Sequence, residues 1–248
     1  MAKTIAVMLR KGGSGKTTTA VNLAAALRQM GKRVLLVDLD PQANATIAVG
    51  IDPTLLEKHI SSLLTDVDIT TQDIIVTTDF ALDVLPAHPD LALAEAGMNA
   101  TQVGTVKQIL QDLQSRYDYI IIDTPPSEGY LTISSLVAAD EVIIPLQAHF
   151  LAMQGLQQAL NTVAKVQKGL NPNLKIIGIL PTMVNPRTNI ARIVLKEVGE
   201  RYNDLLLPYS IDYSIRHAEA SLAGLPIVLY DPEHSGSKNY KKLARKVL

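Results

Sequence analysis

The sequence predicts an α/β protein with a doubly wound, mostly parallel sheet, and three observations support this. Short β-branched runs alternate with longer helical patterns, which is typical of βαβ units. Runs such as "YIIID" are almost continuously apolar, as expected for parallel strands covered on both faces. The 248 residues are 47% apolar and contain no internal repeat or long linker, so we expect a single domain over residues 1–248 with one large core.

Strands are predicted where β-branched and aliphatic residues concentrate, and helices where apolar residues recur at intervals of three and four. The predicted strands are 4–9, 33–37, 82–85, 119–122, 141–145 and 175–182, with weaker candidates at 205–207 and 226–229. The predicted helices are 16–30, 101–115, 129–138, 150–170, 188–202, 213–223 and 236–248. Residues 51–79 follow no regular period, and we expect a surface excursion there.

Composition excludes several classes of site. The formal net charge is −1 and cysteine is absent, so there is no global basic field, no disulfide, no thiolate metal site and no cysteine nucleophile. No apolar run approaches the roughly 20 residues that span a bilayer, and the opening "KTIAVML" lacks a leader pattern, so we expect a cytoplasmic protein. The histidines are scattered without ligand spacing, and we expect structural or surface roles for them. They are His59, His88, His149, His217 and His234.

The stretch "RKGGSGKTTTAVNLAAAL" at residues 10–27 predicts a phosphate-binding loop, because it lies between a strand and a helix. Its three glycines allow the backbone to turn tightly and direct N–H groups inward, and the following helix N-terminus favours a di- or triphosphate. Lys16 is expected to bridge the β- and γ-phosphates, and the Thr17 hydroxyl to occupy one Mg²⁺ position. Such a loop needs no lysine at position 11, so Lys11 requires a separate explanation.

Carboxylates follow two other predicted strands. "VLLVDLDPQAN" places Asp38 and Asp40 after one strand, and "YIIIDTPPS" places Asp123 after another. Because the carboxyl ends of parallel strands meet at one edge of the sheet, we expect these carboxylates to lie near the loop. Asp123 suits a magnesium-binding role, and Thr124 begins a stiff loop able to sense the γ-phosphate.

The segments "KGGSGKTTT", "VLLVDLDPQAN" and "YDYIIIDTPPS" resemble the deviant Walker A, A′ and B motifs of the ParA/MinD family of P-loop ATPases. The likeness continues through "VIIPLQAHFLAMQGL", "ILPTMVNPRTN" and "SIRHAEASLAGLPIVLYDP", which favours the ParA branch and admits its carboxysome-distributing members. The resemblance implies a P-loop NTPase fold that binds ATP and Mg²⁺ as cofactors. It also implies that Lys11 crosses an ATP-dependent homodimer interface to the partner's phosphates, and that Asp40 positions the lytic water.

By this resemblance Met183 and Asn185 contact adenine, although Asp212 replaces a usual proline and Arg10 a usual glutamine. Hydrolysis should be slow, because the motifs contain no obvious arginine finger. The implied catalytic residues are Lys11, Lys16 and Asp40, and the implied metal ligands are Thr17, Asp38 and Asp123. The implied nucleotide contacts are Lys11, Gly12, Gly13, Ser14, Gly15, Lys16, Thr17, Thr18, Asp38, Asp123, Met183 and Asn185.

The last helix, "SKNYKKLARKVL", combines an apolar stripe with a basic remainder. The exposed basic side of this helix can contact phosphates, and the resemblance implies that the ParA family's nonspecific DNA-binding surface lies in two earlier segments. The candidate DNA contacts are Arg187, Arg192, Lys196, Arg216, Lys241, Lys242 and Arg245. The expected function is an ATP-dependent partition ATPase associated with the nucleoid. It would bind double-stranded DNA without sequence preference, and a cargo-bound adaptor protein would stimulate hydrolysis. The cargo stays open among a plasmid, a chromosome origin and a carboxysome. The alternatives are a MinD-like membrane-cycling ATPase and a metabolic ligase. For the leading interpretation we expect no membrane partner.

Overall fold

The structure is a computed structural model that describes residues 1–65, 68–149, 152–185 and 187–248. The strands are β1 (Lys3–Val7), β2 (Val34–Asp38), β3 (Val76–Thr77), β4 (Asp83–Leu85), β5 (Tyr119–Asp123), β6 (Glu141–Gln147) and β7 (Lys175–Thr182). The helices are α1 (Lys16–Gln29), α2 (Asn44–Ala48), α3 (Ile60–Thr65), α4 (Leu91–Gly97), α5 (Thr105–Gln111), α6 (Tyr130–Ala138), α7 (Ala152–Gly169), α8 (Asn189–Tyr202), α9 (Arg216–Leu222), α10 (Ile227–Tyr230) and α11 (Ser235–Val247).

The strands form one seven-stranded sheet in the order β3-β4-β2-β5-β1-β6-β7. Every pairing is parallel except that of β3 with β4, which is antiparallel. Successive residues of a strand face opposite sides of the sheet, and each side has its own apolar core. Leu35 belongs to the core on one side, which includes residues of α5 to α8, whereas Leu36 belongs to the core on the other side, which includes residues of α1, α10 and α11. The doubly wound α/β prediction is therefore confirmed.

Several predicted boundaries were wrong. The predicted strand at 226–229 is the short helix α10, in which Ile227 and Val228 are buried next to α1 and α11. Three β-branched and aliphatic residues after a proline carry too little periodicity to separate a strand from one helical turn. The predicted strand at 205–207 makes only an isolated bridge through Leu206 to Ile179.

Other predicted elements are shorter or divided. The predicted helix 101–115 consists of a 3-10 turn (Ala100–Gln102) followed by α5. Positions 150 and 151 of the predicted helix 150–170 lie outside the described residues, and α7 accounts for most of the rest. The excursion at 51–79 contains two 3-10 turns, Pro53–Leu55 and Thr71–Asp73, with α3 between them, and it ends as the edge strand β3. Within the described residues, none of the helices is both long and apolar enough to cross a membrane.

Candidate functional site

The candidate site lies where the carboxyl ends of β1, β2 and β5 meet. In the register of the sheet, Asp123 at the end of β5 stands opposite Val7 of β1 and opposite Asp38 of β2. The loop that leaves β1 runs through residues 8–15 and enters α1 at Lys16. The sheet therefore brings the glycine-rich loop and two of the predicted carboxylates to one edge, as expected for a doubly wound fold.

The loop is held by its own hydrogen bonds. Gly13 and Gly15 have positive φ angles of 68° and 84°, which glycine adopts without strain, and Gly15 directly precedes α1. The Ser14 hydroxyl donates to the Lys11 carbonyl at 3.1 Å, and the Thr182 hydroxyl at the end of β7 donates to the Ser14 carbonyl at 2.7 Å. These bonds fix the loop against the sheet before any phosphate binds.

Lys16 is buried, with 6% of its surface exposed. Its ammonium donates to the Lys11 carbonyl at 3.2 Å. Burial lowers the pKa of Lys16, while the negative charges of Asp123 and Asp40 act in the opposite direction. The Lys16 ammonium is thus a buried cation with few hydrogen-bond partners, and a bound anion would compensate its charge.

Asp38 and Asp123 are fully buried neighbours. Asp38 accepts hydrogen bonds from the backbone N–H of Asp40 at 3.0 Å and from the backbone N–H and hydroxyl of Thr46 at 2.9 and 2.8 Å. Burial raises the pKa of Asp38 to about 6. Burial, together with the charge of Asp38, raises the pKa of Asp123 well above its ordinary value. Two carboxylates in this position disfavour each other's charge unless a cation is near.

The donor set fits a hard divalent cation such as Mg²⁺. Asp123 Oδ2 accepts from the Thr17 hydroxyl at 2.7 Å, whereas the buried Oδ1 atom has no hydrogen-bond partner among the described residues. An orphaned buried carboxylate oxygen costs free energy unless something binds it. Hydroxyl and carboxylate oxygens are the ligands that Mg²⁺ prefers, and here they lie beside the phosphate-binding loop.

Asp40 lies at the rim of the same edge and is 6% exposed. Its Oδ1 accepts from the backbone N–H of Gln42 at 3.0 Å, which orients the carboxylate. Asp40, Gln42 and the loop glycines line one cleft of about 410 Å³ that also reaches His217 and Met183.

A second cavity of about 310 Å³ adjoins this cleft. Met183, with a positive φ of 50°, lines both spaces, and Asp212 lines the second. The exposed Asn185 lines neither, because its side-chain oxygen accepts from the backbone N–H of Arg187 at 3.1 Å. The structure thus places Met183 next to the loop but not Asn185.

Lys11 and Arg10 differ in how they are held. The half-buried Lys11 side chain makes no hydrogen bond or ion pair to any described residue. Arg10 pairs with Glu128 at 3.3 Å, and both side chains are close to half exposed. Arg10 therefore ties the phosphate-binding loop to the segment after β5, which gives a structural role to a residue that the sequence left unexplained.

The predicted DNA contacts fall into two groups. Arg216 is already neutralised, since it pairs with Glu219 at 2.7 Å and with Asp231 at 3.1 Å. Lys196 pairs with Glu200 at 3.8 Å, and the exposed Arg192 is hydrogen-bonded to Asn189 within its own helix. The three predicted contacts on α11, like Lys246 of the same helix, have no carboxylate partner in the part of the chain that the structure describes, and they are Lys241, Lys242 and Arg245.

Sequence reasoning missed three contributors to the site. Thr46 holds Asp38, and Thr182 holds the phosphate-binding loop. His217 lines both cavities, and neither of its ring nitrogens has a partner among the described residues. Burial, with a smaller effect of His234, lowers the pKa of His217 to about 4, so its ring is neutral at neutral pH. No local pattern marks these residues, because their roles arise from long-range packing.

Comparisons with known proteins agree with this geometry. A family model described as an AAA domain matches residues 2–176. The sporulation initiation inhibitor protein Soj of Bacillus subtilis (strain 168) is 47% identical over 250 residues, which cover 100% of this chain and 98% of Soj. The chromosome partitioning protein ParA of Myxococcus xanthus (strain DK1622) is 41% identical, with coverage of 100% of this chain and 88% of that protein.

A solved structure has the same fold. The crystal structure of cobyrinic acid a,c-diamide synthase from Mycobacterium smegmatis, with bound ADP and magnesium, gives a TM-score of 0.86 at 39% identity. The match covers 99% of this chain and 93% of the other. The similarity to Soj and ParA extends over the whole chain, at 47% and 41% identity, and the P-loop fold is shared. The chain therefore belongs to the ParA/Soj family of ParA/MinD-type P-loop ATPases.

Proposed function

We propose that this chain is an ATP-dependent partition ATPase, acting as a single domain that dimerises around ATP and binds DNA without sequence preference. The observation that carries the proposal is the composite edge of the sheet, where a phosphate-binding loop, a buried lysine and an orphaned carboxylate oxygen meet. Relatives with bound ADP or an ATP analogue and magnesium support the choice of ligands. The name of the Myxococcus relative favours a chromosomal region as cargo over a plasmid or a carboxysome.

The residues at this edge of the sheet would divide into triphosphate contacts, metal ligands and a residue that orients water. Lys16 and the loop 11–18 bind the triphosphate, and Thr17, Asp38 and Asp123 hold Mg²⁺, which supplies charge neutralisation at the phosphates. Asp40 orients the attacking water, since its carboxylate is directed by the Gln42 N–H and lines the cleft. Met183 and the second cavity receive the base and ribose, with Asn185 able to join only after its bond to Arg187 breaks.

Lys11 separates a partition ATPase from other uses of the loop. Its ammonium has no partner among the described residues, so it is free to neutralise a triphosphate held by a second subunit. A cation that serves the neighbouring subunit makes the nucleotide part of the interface. A metabolic ligase, the activity that the name of the Mycobacterium smegmatis structure indicates for that protein, requires no such residue.

The test is sedimentation of the wild type, Lys11→Ala and Arg10→Ala with Mg²⁺ and a nonhydrolysable ATP analogue. We expect the wild type to convert from monomer to dimer and Lys11→Ala to bind nucleotide but stay monomeric. Arg10→Ala is the matched control, because it removes a neighbouring cation that is already paired with Glu128. If Lys11→Ala dimerises, or if Arg10→Ala fails equally, Lys11 has no special role across an interface.

The DNA-binding part of the proposal rests on α11. Tyr240, Leu243, Ala244 and Val247 form its buried stripe, which leaves the basic side in solvent and leaves no free apolar face for a membrane. On that basic side, the exposed Lys242 has no carboxylate partner among the described residues, whereas Lys238 pairs with Glu233 at 3.0 Å. Phosphate binding should therefore depend on Lys242 more than on Lys238.

Filter binding of unrelated duplexes at several salt concentrations tests this difference. Lys242→Glu should weaken binding to all sequences alike and reduce the salt slope by about 1. Lys238→Glu is the control and should change binding less, because its charge is already paired. Equal losses from both variants would place the DNA surface elsewhere, and ATP-dependent sedimentation with anionic vesicles would favour the membrane alternative.

A further inference from the structure

Two histidines that are 29 positions apart in sequence meet away from the nucleotide cleft. His59 directly precedes α3, and His88 lies with Asp90 in the segment between β4 and α4. The two segments are joined by a backbone hydrogen bond from Ile60 N–H to the Pro86 carbonyl at 3.0 Å. The two imidazole rings stack in parallel with their centroids 4.2 Å apart. The backbone therefore holds the side chains together without any ligand.

Three atoms of this group, which we call the His59 cluster (His59, His88 and Asp90), converge. Asp90 Oδ2 lies 3.2 Å from His88 Nδ1 and 3.8 Å from His59 Nε2. One ligand atom from each residue fits within a span of 4.8 Å. In a tetrahedral zinc site with bonds of about 2.0–2.1 Å, ligand atoms are separated by about 3.3–3.4 Å. Because a coordinating imidazole holds the metal in its ring plane, one ring would also turn out of the parallel stack to complete the geometry.

The hydrogen bonds around the cluster show which ring nitrogens act as acceptors. The backbone N–H of Asp90 donates to His88 Nδ1 at 3.2 Å, so that nitrogen is unprotonated, and zinc would replace the N–H at its lone pair. The nitrogen faces the Asp90 carboxylate as one acceptor facing another, an arrangement that a cation relieves. His59 Nδ1 lies 2.5 Å from the Ser61 hydroxyl, and an Nδ1–H bond to it leaves Nε2 free. An outer partner of this kind commonly orients a metal-binding histidine.

We propose that His59, His88 and Asp90 bind one Zn²⁺ ion, with solvent as the fourth ligand. Imidazole nitrogens select a borderline transition metal over Mg²⁺, which prefers an all-oxygen site. The three residues of the cluster differ in solvent exposure. His59 is 8% exposed and fixed, whereas the Asp90 side chain is 60% exposed and gives the ion a path from solvent.

The site is separate from the nucleotide cleft but is connected to it. None of the three residues lines the cleft or the adjoining cavity. However, Ala87, which directly precedes His88, donates its backbone N–H to the Thr46 hydroxyl at 3.0 Å, and that hydroxyl donates to Asp38. An ion in the His59 cluster would therefore stiffen the segment that supports Asp38.

Calorimetric titration of Zn²⁺ into chelator-treated full-length protein tests the site. We expect one tight equivalent for the wild type, and for His88→Gln and Asp90→Asn a loss of affinity larger than the roughly 10–100-fold caused by losing an outer-sphere partner. His234→Gln is the matched control, because it removes a histidine outside the cluster, and it should bind zinc as the wild type does. Asp90 is exposed, so Asp90→Asn should fold, and circular dichroism checks both cluster variants.

Substitution with Co²⁺ gives a second readout, since a tetrahedral site yields intense visible absorption and the nucleotide site, built from oxygen ligands, does not. The wild type should show this band, and His88→Gln should not. The proposal is overturned if the wild type binds no zinc, if either cluster variant binds it with unchanged affinity, or if His234→Gln loses it equally.

Discussion

Thr46→Val should destabilise the protein more than its small change in shape suggests. The Thr46 hydroxyl is fully buried, donates to Asp38 Oδ2 at 2.8 Å and accepts from the Ala87 N–H at 3.0 Å. Valine keeps the β-branched shape but loses both bonds. A hydrogen bond to a charged group contributes about 1.5–3 kcal/mol, and a buried N–H left without a partner costs about 1–3 kcal/mol. Because Asp38 keeps two other donors, we expect a loss of about 3 kcal/mol in the free energy of unfolding.

Urea unfolding followed by circular dichroism measures this loss. Thr46→Ser keeps the hydroxyl and removes only a methyl group, so it should cost about 1 kcal/mol. Ser134→Ala removes a buried hydroxyl that has no partner among the described residues, and it should be nearly neutral. A Thr46→Val loss below that of Thr46→Ser would show that the hydroxyl does not connect Asp38 to the segment before α4.

Two further predictions concern the carboxylates and Lys16. The pKa of Asp38 is raised to about 6, so the folded state retains a proton that the unfolded chain loses near pH 4. Stability therefore falls as pH rises from 4 to 6, by about 3 kcal/mol for this group. His217, with its pKa lowered to about 4, acts in the opposite direction, so the measurement is the difference between wild-type and Asp38→Asn unfolding curves; parallel curves would refute it. In calorimetry, Lys16→Ala should lose ATP binding whereas Asp40→Ala should retain it and accumulate dimer, and the reverse pattern would exchange their roles.

Sequence reasoning located those site residues whose position follows directly from the end of a strand. Asp38 and Asp123 each follow an apolar strand, and parallel register then places them opposite each other without further information. Thr46 could not be predicted, because its bond to Asp38 requires the chain to fold back through Ala43, which has a positive φ of 51°.

Histidine spacing gave no sign of the His59 cluster for a similar reason. Metal ligands are recognised in sequence by short intervals, whereas His59 and His88 meet only because α3 lies beside the segment that follows β4. The DNA contacts show a third limit. The family resemblance nominated Arg216 as a DNA contact, but Glu219 and Asp231 are its partners in the fold. Glu219 lies one helical turn away in the sequence, whereas the pairing with Asp231 depends on the tertiary fold and leaves no local signal.

The Lys11 carbonyl has a consequence for how nucleotide occupancy is communicated. It accepts from both Ser14 Oγ and Lys16 Nζ in the described loop. A phosphate that attracts the Lys16 ammonium would remove one of these donors, so the hydrogen bonding of the residue 11 backbone would change when the loop is filled. Lys11 would thus have two roles. Its side chain is proposed to contact the partner's nucleotide, and its carbonyl would lose a hydrogen bond when phosphate fills its own loop. Two facing subunits would each report occupancy to the other through a single amino acid.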